Sequence, residues 1–359
     1  MRRLMSRVAS FGFVASSALV CCWASPAAAQ VALNVYGDIN YFVEKGQDTT
    51  NSFQMPRLEL LPTASQDRLS FLAEIMFEVD EQNNFVLDVE RTEIAYLFSD
   101  YFRVKFGRFH TAIGYYNDAY HHGRYFQTTV DRPEMVRFED EGGLIPAHSV
   151  GIHIDGLLPL GPLGSVRYDV DGANGRGNIP DEVTNLVDHD NNKALNLRLR
   201  FEPSFPDGLM FGGNVYIDTI KATGADPSAA TVDVDELILG AHLAYLENYV
   251  HLIAEYLYIQ HKFFNRTGVT QGAFGELGYT FGIVTPYARV QWVKFPALED
   301  ADPFLLGNVA FPRGTFTAGV AGLRIAVSDY LAVKIEGGYT KLDSGGNIKT
   351  GALQCAFAF

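Results

Sequence analysis

From residue 31 to its last residue the chain alternates apolar and polar side chains, and this period of two limits what it can fold into. Successive side chains of a β-strand point to opposite faces, so each alternating run reads as a strand with one apolar and one polar face. The runs fall at 32–43, 54–61, 67–79, 85–98, 101–110, 148–158, 165–172 and 193–202 in the first half. They continue at 208–220, 234–246, 249–263, 270–281, 284–295, 315–327, 330–342 and 349–359. The expected fold is all-β: one antiparallel up-and-down barrel of about 16 strands over residues 30–359. The links support the count. Ser99-Asp100, Glu247-Asn248, Gly282-Ile283 and Ser328-Asp329 are tight and follow even-numbered runs. The long links 111–147, 173–192, 221–233 and 296–314 follow odd ones, and a wrong count would scramble that parity.

Residues 1–29 stand outside this pattern. Arg2, Arg3 and Arg7 make a positive start, and an apolar stretch runs from Val8 to Trp23. Ala27-Ala28-Ala29 then supplies the small residues a signal peptidase needs before Gln30, so a cleaved signal peptide is expected. No later run is apolar and long enough for a spanning helix. Cys21 and Cys22 leave with the signal, and Cys355 alone cannot form an intramolecular disulfide. The net charge of −14 argues against a nucleic-acid partner.

Alternation alone does not separate a soluble sandwich from a membrane barrel. A sandwich turns its apolar faces into a dry core. A membrane barrel turns them out to lipid and keeps a wet lumen. Three features favour the barrel. The alternation persists along the whole chain with no second architecture. Aromatic residues cluster near run ends, where interfacial girdles belong: Tyr41 with Phe42, Phe98, Tyr101 with Phe102, Tyr245 with Tyr249, Tyr256 with Tyr258, Trp292, Tyr330 and Tyr339. The chain closes on GALQCAFAF, with Leu353, Cys355, Phe357 and Phe359 on one face. In lipid every backbone group must be paired, and a closed sheet does this without an edge. The expected location is the bacterial outer membrane.

The longest link, TAIGYYNDAYHHGRYFQTTVDRPEMVRFEDEGGLIPA at 111–147, lies between the fifth and sixth runs on the long-link side. In strand count, leader, terminal Phe and the place of this link, the chain resembles the sixteen-stranded porin superfamily of outer-membrane barrels. The likeness covers nearly the whole mature chain. GRFHTAIGYYN at 107–117, with RPEMVRFEDE behind it, also looks like the matching region of phosphate-selective porins. The resemblance implies a passive diffusion channel for small hydrophilic solutes or ions, with no enzymatic activity and no cofactor. It implies that 111–147 folds inward to narrow the pore. Its partners would be outer-membrane lipid and lipopolysaccharide, the barrel-assembly machinery through Phe359, and two further copies in a homotrimer. An anion- or phosphate-selective porin, and a non-conducting structural or adhesive barrel, remain as alternatives.

Charge suggests how such a pore would select. In 111–147 the acids are Asp118, Asp131, Glu134, Glu139, Asp140 and Glu141, against Arg124, Arg132 and Arg137. If the apolar set faces lipid, the lumen wall carries Arg57 with Glu59, Arg103 with Lys105, Arg198 with Arg200, Arg289, Arg324, and Lys334 with Glu336. An acidic loop facing a partly basic wall would set a transverse field across the constriction. The alternation slips near Arg91, Gly107 and Glu276, where bulges are expected, and each slip would flip the faces beyond it.

Other motifs carry less. His148-Ser149 lies on a strand edge, where sequence neighbours point to opposite faces. His121-His122 lacks helical metal-ligand spacing. GANGRGNIPDE at 172–182 lacks the strand-to-helix context of a phosphate cradle and reads as an outer loop. Asp169, Asp171, Asp181 and Glu182 stand close in sequence, as in a calcium loop, but without EF-hand spacing.

Overall fold

The computed structural model describes residues 29–46, 49–79, 84–120, 123–139, 141–180, 182, 186–188, 190–223, 231–247, 249–264, 266–296, 304–305 and 314–359. Residues 1–28 of the expected signal peptide, the His121-His122 pair, Asp140 and Asp181 lie outside the described residues.

The first eight strands are β1 (Gln30–Lys45), β2 (Thr49–Gln66), β3 (Leu69–Val79), β4 (Phe85–Ser99), β5 (Phe102–His110), β6 (His148–Pro159), β7 (Gly164–Ala173) and β8 (Ala194–Pro203). The second eight are β9 (Leu209–Ala222), β10 (Val232–Glu247), β11 (Val250–Phe263), β12 (Arg266–Tyr279), β13 (Val284–Lys294), β14 (Phe316–Ser328), β15 (Leu331–Leu342) and β16 (Asn347–Ala358). Each pairs antiparallel with its chain neighbours, and β1 pairs with β16, so the sheet closes into a barrel of 16 strands. At the seam the N–H of Val35 donates to the carbonyl of Phe359, and the N–H of Phe359 to that of Val35, both at 2.8 Å. The turns after even strands are short, and the long segment 111–147 follows β5. Most ends match the alternating runs closely. β2 differs most, being longer at both ends than the run at 54–61.

The faces follow the pleat. On β8, Leu195, Leu197 and Leu199 are exposed on the outer face, while Asn196 and Arg198 are buried inside. On β13, Val290 and Trp292 face out, and Arg289 and Gln291 face in. The outer surface is therefore an apolar belt, as a lipid-facing barrel requires. Its rim at the short-turn end is aromatic: Tyr96, Phe98 and Phe102 touch in series, as do Tyr249, Tyr279 and Phe281, and Tyr330 stacks on Phe359. At the other rim Tyr41 packs on Phe53. Phe42 corrects the girdle expectation, because it shares the inner face with Asn40 and Gln354.

The three expected slips resolve differently. Near Arg91 the β3–β4 register shifts, leaving Glu90 as the extra residue. At Gly107 the register runs unbroken, but the residue has φ +129°, which L side chains rarely adopt. A Cβ there would lie 2.0 Å from the carbonyl oxygen of Thr92. Beyond Gly107, Arg108 turns inward and donates to the carbonyl of Val89 at 3.0 Å. At Glu276 there is no slip: both ladders are continuous and Glu276 stays inside. Glycines on both sides dilute the alternation there without breaking it.

One inner region contradicts a uniformly wet lumen. Ile238, Ile253, Leu257, Ile259, Phe274, Val293 and Phe316 point inward from β10 to β14 and are buried. They form one apolar cluster with Ile113, Tyr116, Met135, Val136, Leu144 and Ile145 of the 111–147 segment. A second cluster joins Ile220, Val234 and Phe263 with Phe304 and Leu305.

Candidate functional site

Segment 111–147 leaves the wall through a clamped neck. The N–H of Thr111 donates to the carbonyl of Ala147 at 3.0 Å, and Asn117 Nδ2 donates to both the Thr111 and the Ala147 carbonyls. The chain then crosses the lumen. Side chains of β1, β2, β7, β8, β9, β11, β12, β13, β14, β15 and β16 hold it. Glu255 accepts the N–H groups of Tyr115 and Tyr116 at the start of the single-turn helix α1 (Tyr116–Ala119), the first at 2.9 Å. Gly114, at φ +66°, lets the backbone reach this site: a Cβ there would lie 2.2 Å from Glu255 Oε2. Arg289 donates to Thr129 Oγ1 and to the Asp131 carbonyl, both at 2.8 Å. Lys334 donates to the carbonyls of Arg124 and Thr129, Glu336 accepts from the N–H of Val130, and Gln291 accepts from the N–H of Glu134.

These bonds satisfy the backbone of a segment that carries only two short helical turns. A buried loop needs that, because unpaired peptide groups away from water are costly. Apolar packing adds to it. The segment is therefore a fixed part of the lumen.

Between the segment and β4–β8 a chamber of about 150 Å³ remains. Arg91, Arg103, Lys105, Arg167, Arg198 and Arg200 line it, against the carboxylates Glu93, Asp118, Asp155 and Asp169. Permanent positive charges thus outnumber carboxylates six to four. Arg103 binds Asp155 through Nε at 3.0 Å and Nη2 at 2.8 Å, and Lys105 lies 3.8 Å from the same carboxylate. His153 stands among Asp155, Asp169 and Asp171. Arg198 reaches Asp169 at 2.8 Å and Asp118 at 2.9 Å. Burial works against the Asp118 charge, but Arg198 outweighs it and holds the carboxyl well below the usual range.

No family model and no curated protein matches the sequence. Solved structures do match in fold. An anion-selective porin from Comamonas acidovorans superposes with a TM-score of 0.62 at 11% identity, covering 92% of this chain and 100% of the other. OmpT of Vibrio cholerae, an outer-membrane protein solved in a trimer form, gives 0.61 at 13%, covering 92% and 100%. OmpF of Salmonella typhi, solved with daunomycin, gives 0.59 at 14%, covering 92% and 97%. This is the fold of the outer-membrane porins.

Within that porin fold, the charges read from the sequence divide into groups. Arg103, Lys105, Arg198, Arg200 and Asp118 line the chamber. Arg57 lies on the β2 wall, bonded to Glu141 and 3.5 Å from Glu78. Burial works against the Glu141 charge, but Arg57, Arg124 and Arg137 outweigh it and bring the carboxyl down to about 2. Arg124 pairs with Asp131 at 3.1 Å, and Arg137 with Glu134 at 3.2 Å. Arg289 and Arg324 bind backbone carbonyls of the segment, so they anchor it and do not face an open passage.

Arg132 and Glu139 depart from the expected lining. Arg132 donates to the carbonyls of Val136 and Tyr120 and lies 4.6 Å over the Phe138 ring; burial pulls its guanidinium down to about 10. Glu139 accepts the N–H of Ala147 at 2.6 Å. Both brace the segment from within. The acid-facing-base field is likewise resolved into direct ion pairs.

The outer-loop reading of 172–182 also needs correction. Arg176 enters the lumen and donates to the Leu144 carbonyl, 3.4 Å from Glu236. Asp169 and Asp171 face inward on β7, bound to Arg198 and His153, and so do not gather around an outer cation.

Sequence reasoning missed Glu255, Asn214, Glu276 and Gln354 as anchors, along with the basic residues Arg91 and Arg167. All lie at inward positions of their strands. Strand parity could have found them, although their partners in the crossing segment carry no comparable signal.

Proposed function

We propose that the chain is a passive porin of the outer membrane, a channel for small hydrophilic solutes or ions and not an enzyme. The observation that carries this reading is the charged chamber left between segment 111–147 and β4–β8, inside a closed lipid-facing barrel. A crossing segment tied to the wall on many sides gives a passage of fixed width, as sieving requires. Its selectivity would come from the chamber charges. The non-enzymatic reading has its own support. Ser149 Oγ pairs with Thr111 Oγ1 at 2.8 Å, and His148 Nε2 lies 2.9 Å from Glu90, so these neighbours do not form a nucleophile–base pair.

The six positive side chains that line the chamber favour a preference for anions, although Arg91 also pairs with Glu74, and Arg167 and Arg200 with Glu202. Homotrimer assembly, cleavage of residues 1–29 and recognition of Phe359 by the assembly machinery belong to the same reading. The trimer form of the Vibrio cholerae protein and the exposed terminal Phe359 are consistent with it.

Liposome swelling tests the proposal. Vesicles containing the folded protein should swell in small sugars and amino acids, and planar bilayers should show steps biased toward chloride over potassium. A barrel that inserts but passes none of these solutes or ions would overturn it.

A further inference from the structure

One side chain of the chamber is ringed by carboxylates. His153 points inward from β6, is 4% exposed and stands between the β5 and β7 walls. Its Nδ1 lies 2.5 Å from Asp171 Oδ1, and its Nε2 lies 3.3 Å from Asp155 Oδ2 and 3.6 Å from Asp169 Oδ1. Strand register brings the three acids together. His153 is directly opposite Asp171 on β7, and Asp155, the next inward residue of β6, is opposite Asp169. The Phe109 ring packs against the imidazole with the centroids 5.3 Å apart.

This geometry fixes where the proton is. A neutral imidazole donates from one nitrogen and offers a lone pair at the other. Here both nitrogens face carboxylate oxygens, so either neutral tautomer would aim its lone pair at one of them. The carboxylates are held as anions by other donors. Arg103 forks onto Asp155 at 3.0 and 2.8 Å, and Arg198 reaches Asp169 at 2.8 Å. Asp171 accepts from Asn196 Nδ2 at 2.8 Å and from the N–H of Ala112 at 3.3 Å. A ring that donates from both nitrogens fits all three acids, and such hydrogen bonds between charged groups are the strong ones. The other charges around it are Lys105, directly opposite on β5, with Arg103 on the same strand and Arg198 on β8. Asp118 of the crossing segment joins the group through Arg198.

Fixed charge on the wall of a narrow passage sets which ions it favours. A neutral residue at position 153 would leave Asp155, Asp169 and Asp171 facing the chamber with one cation fewer among them. We propose that His153 is an imidazolium that sets the chamber's preference for anions and makes that preference sensitive to alkali. The proposal rests on the reading of the chamber as the path of ions.

The test uses the full chain folded in detergent, with its histidines labelled with nitrogen-15, and then the same protein in planar bilayers. The signal that His153→Gln removes should report a doubly protonated ring at about pH 7. In a salt gradient at about pH 7, the chloride-over-potassium permeability ratio of wild type should exceed that of His153→Gln about twofold or more. The two ratios should converge by about pH 10, as the ring loses its proton. Lys105 can also lose its proton at the alkaline end, but it is present in both proteins. The double variant H153Q/D171N removes one charge of each sign and should return toward the wild-type ratio. A ring that served only as packing would not be replaced in this way.

A neutral ring at about pH 7 would overturn the proposal. So would equal ratios in wild type and His153→Gln at that pH, a gap that persists unchanged at the alkaline end, or a double variant no closer to wild type than the single one. Heat-modifiable migration shows that each barrel is intact. The nitrogen-15 signal needs no conduction. A charged ring in a barrel that passes no ions would therefore sink the channel reading, and this proposal with it, while a conducting barrel with a neutral ring sinks this proposal alone.

Discussion

Arg198 on β8 donates from Nη2 to Asp118 Oδ2 at 2.9 Å, tying the barrel wall to the crossing segment at the edge of the chamber. The same guanidinium reaches Asp169 at 2.8 Å and the Gly114 carbonyl at 3.0 Å, and Arg198 is only 2% exposed. Three acceptors around one buried cation fix the distance between wall and segment. The expected field between an acidic loop and a basic wall is here a set of short contacts. What remains for a passing ion is the residue of charge not neutralised in pairs.

That residue can be changed one charge at a time. Asp118→Asn removes one carboxylate from the chamber while leaving Arg198 in place. A unit charge about 4 Å away is worth about 1 kcal/mol even at the dielectric of water. The chloride-over-potassium permeability ratio should therefore rise severalfold, read from the reversal potential in a salt gradient. Arg103→Gln should move it the other way. Two shifts of the same sign would contradict the charge assignment.

Glu141 provides a test in pH. Its folded-state pKa is brought down to about 2, below the usual carboxylate value, because three arginines outweigh the effect of burial. A depressed carboxylate stabilises the fold above its unfolded pKa, and that contribution is lost as pH falls through the folded value. Wild type should keep the contribution of the Arg57–Glu141 pair at neutral pH and lose it progressively between about pH 4 and pH 2. Glu141→Gln lacks it throughout, so urea midpoints of the two proteins should differ at pH 7 and converge toward pH 2. A constant difference across that range would show that Glu141 does not titrate as described.

Phe274 tests what fastens the segment. It sits inside β12 at 4% exposure, its ring 5.7 Å from that of Tyr116 and perpendicular to it. Phe274→Ala should cost about 3–5 kcal/mol, the usual range for a buried phenylalanine. Most of this loss should fall on docking of the segment and little on the barrel ladder. Trypsin should then cut at Arg124 or Arg137 in the variant while leaving wild type whole, and the far-ultraviolet spectrum should be unchanged. Resistance equal to wild type would assign the hold to hydrogen bonds alone.

Leu197 tests the orientation of the wall. It is 46% exposed on the outer face of β8, next in sequence to the buried Asn196 and Arg198. Leu197→Arg should cost about 2–4 kcal/mol if this position lies near mid-membrane. Urea titration of vesicle-folded protein measures it. A loss within about 0.5 kcal/mol would place the apolar belt elsewhere.

The wall was legible in the sequence because lipid outside and charge inside impose a period of two on every strand. Leu195, Leu197 and Leu199 against Asn196 and Arg198 show the pattern at its clearest. The crossing segment was legible only by its length and position. Its anchors are single inward residues such as Glu255 and Gln354, which alternation marks as polar but cannot assign to partners more than a hundred residues away. The apolar inner patch was hidden for a related reason. Phe274 and Leu257 sit at inward positions that a wet lumen would fill with polar side chains, and neither has a charged neighbour to mark the face, since Tyr256 and Ala273 beside them are uncharged. Gly107 was legible as a break, and its positive φ shows how Arg108 can turn inward without a shift in register. Arg132 and Glu139 carry the charges of a pore lining, but their side chains fold back on the segment's own carbonyls and amides.

The proposed path for solutes runs through the chamber between segment 111–147 and β4–β8. Lys105 lines that chamber, and Cys355 lies on the outer face of β16. Single-channel recording of K105C in a C355A background, before and after a bulky thiol reagent, probes this path. Complete reaction should cut the open-channel current by more than about half, because the passage is narrow. Full labelling with unchanged current would place the path elsewhere and contradict it.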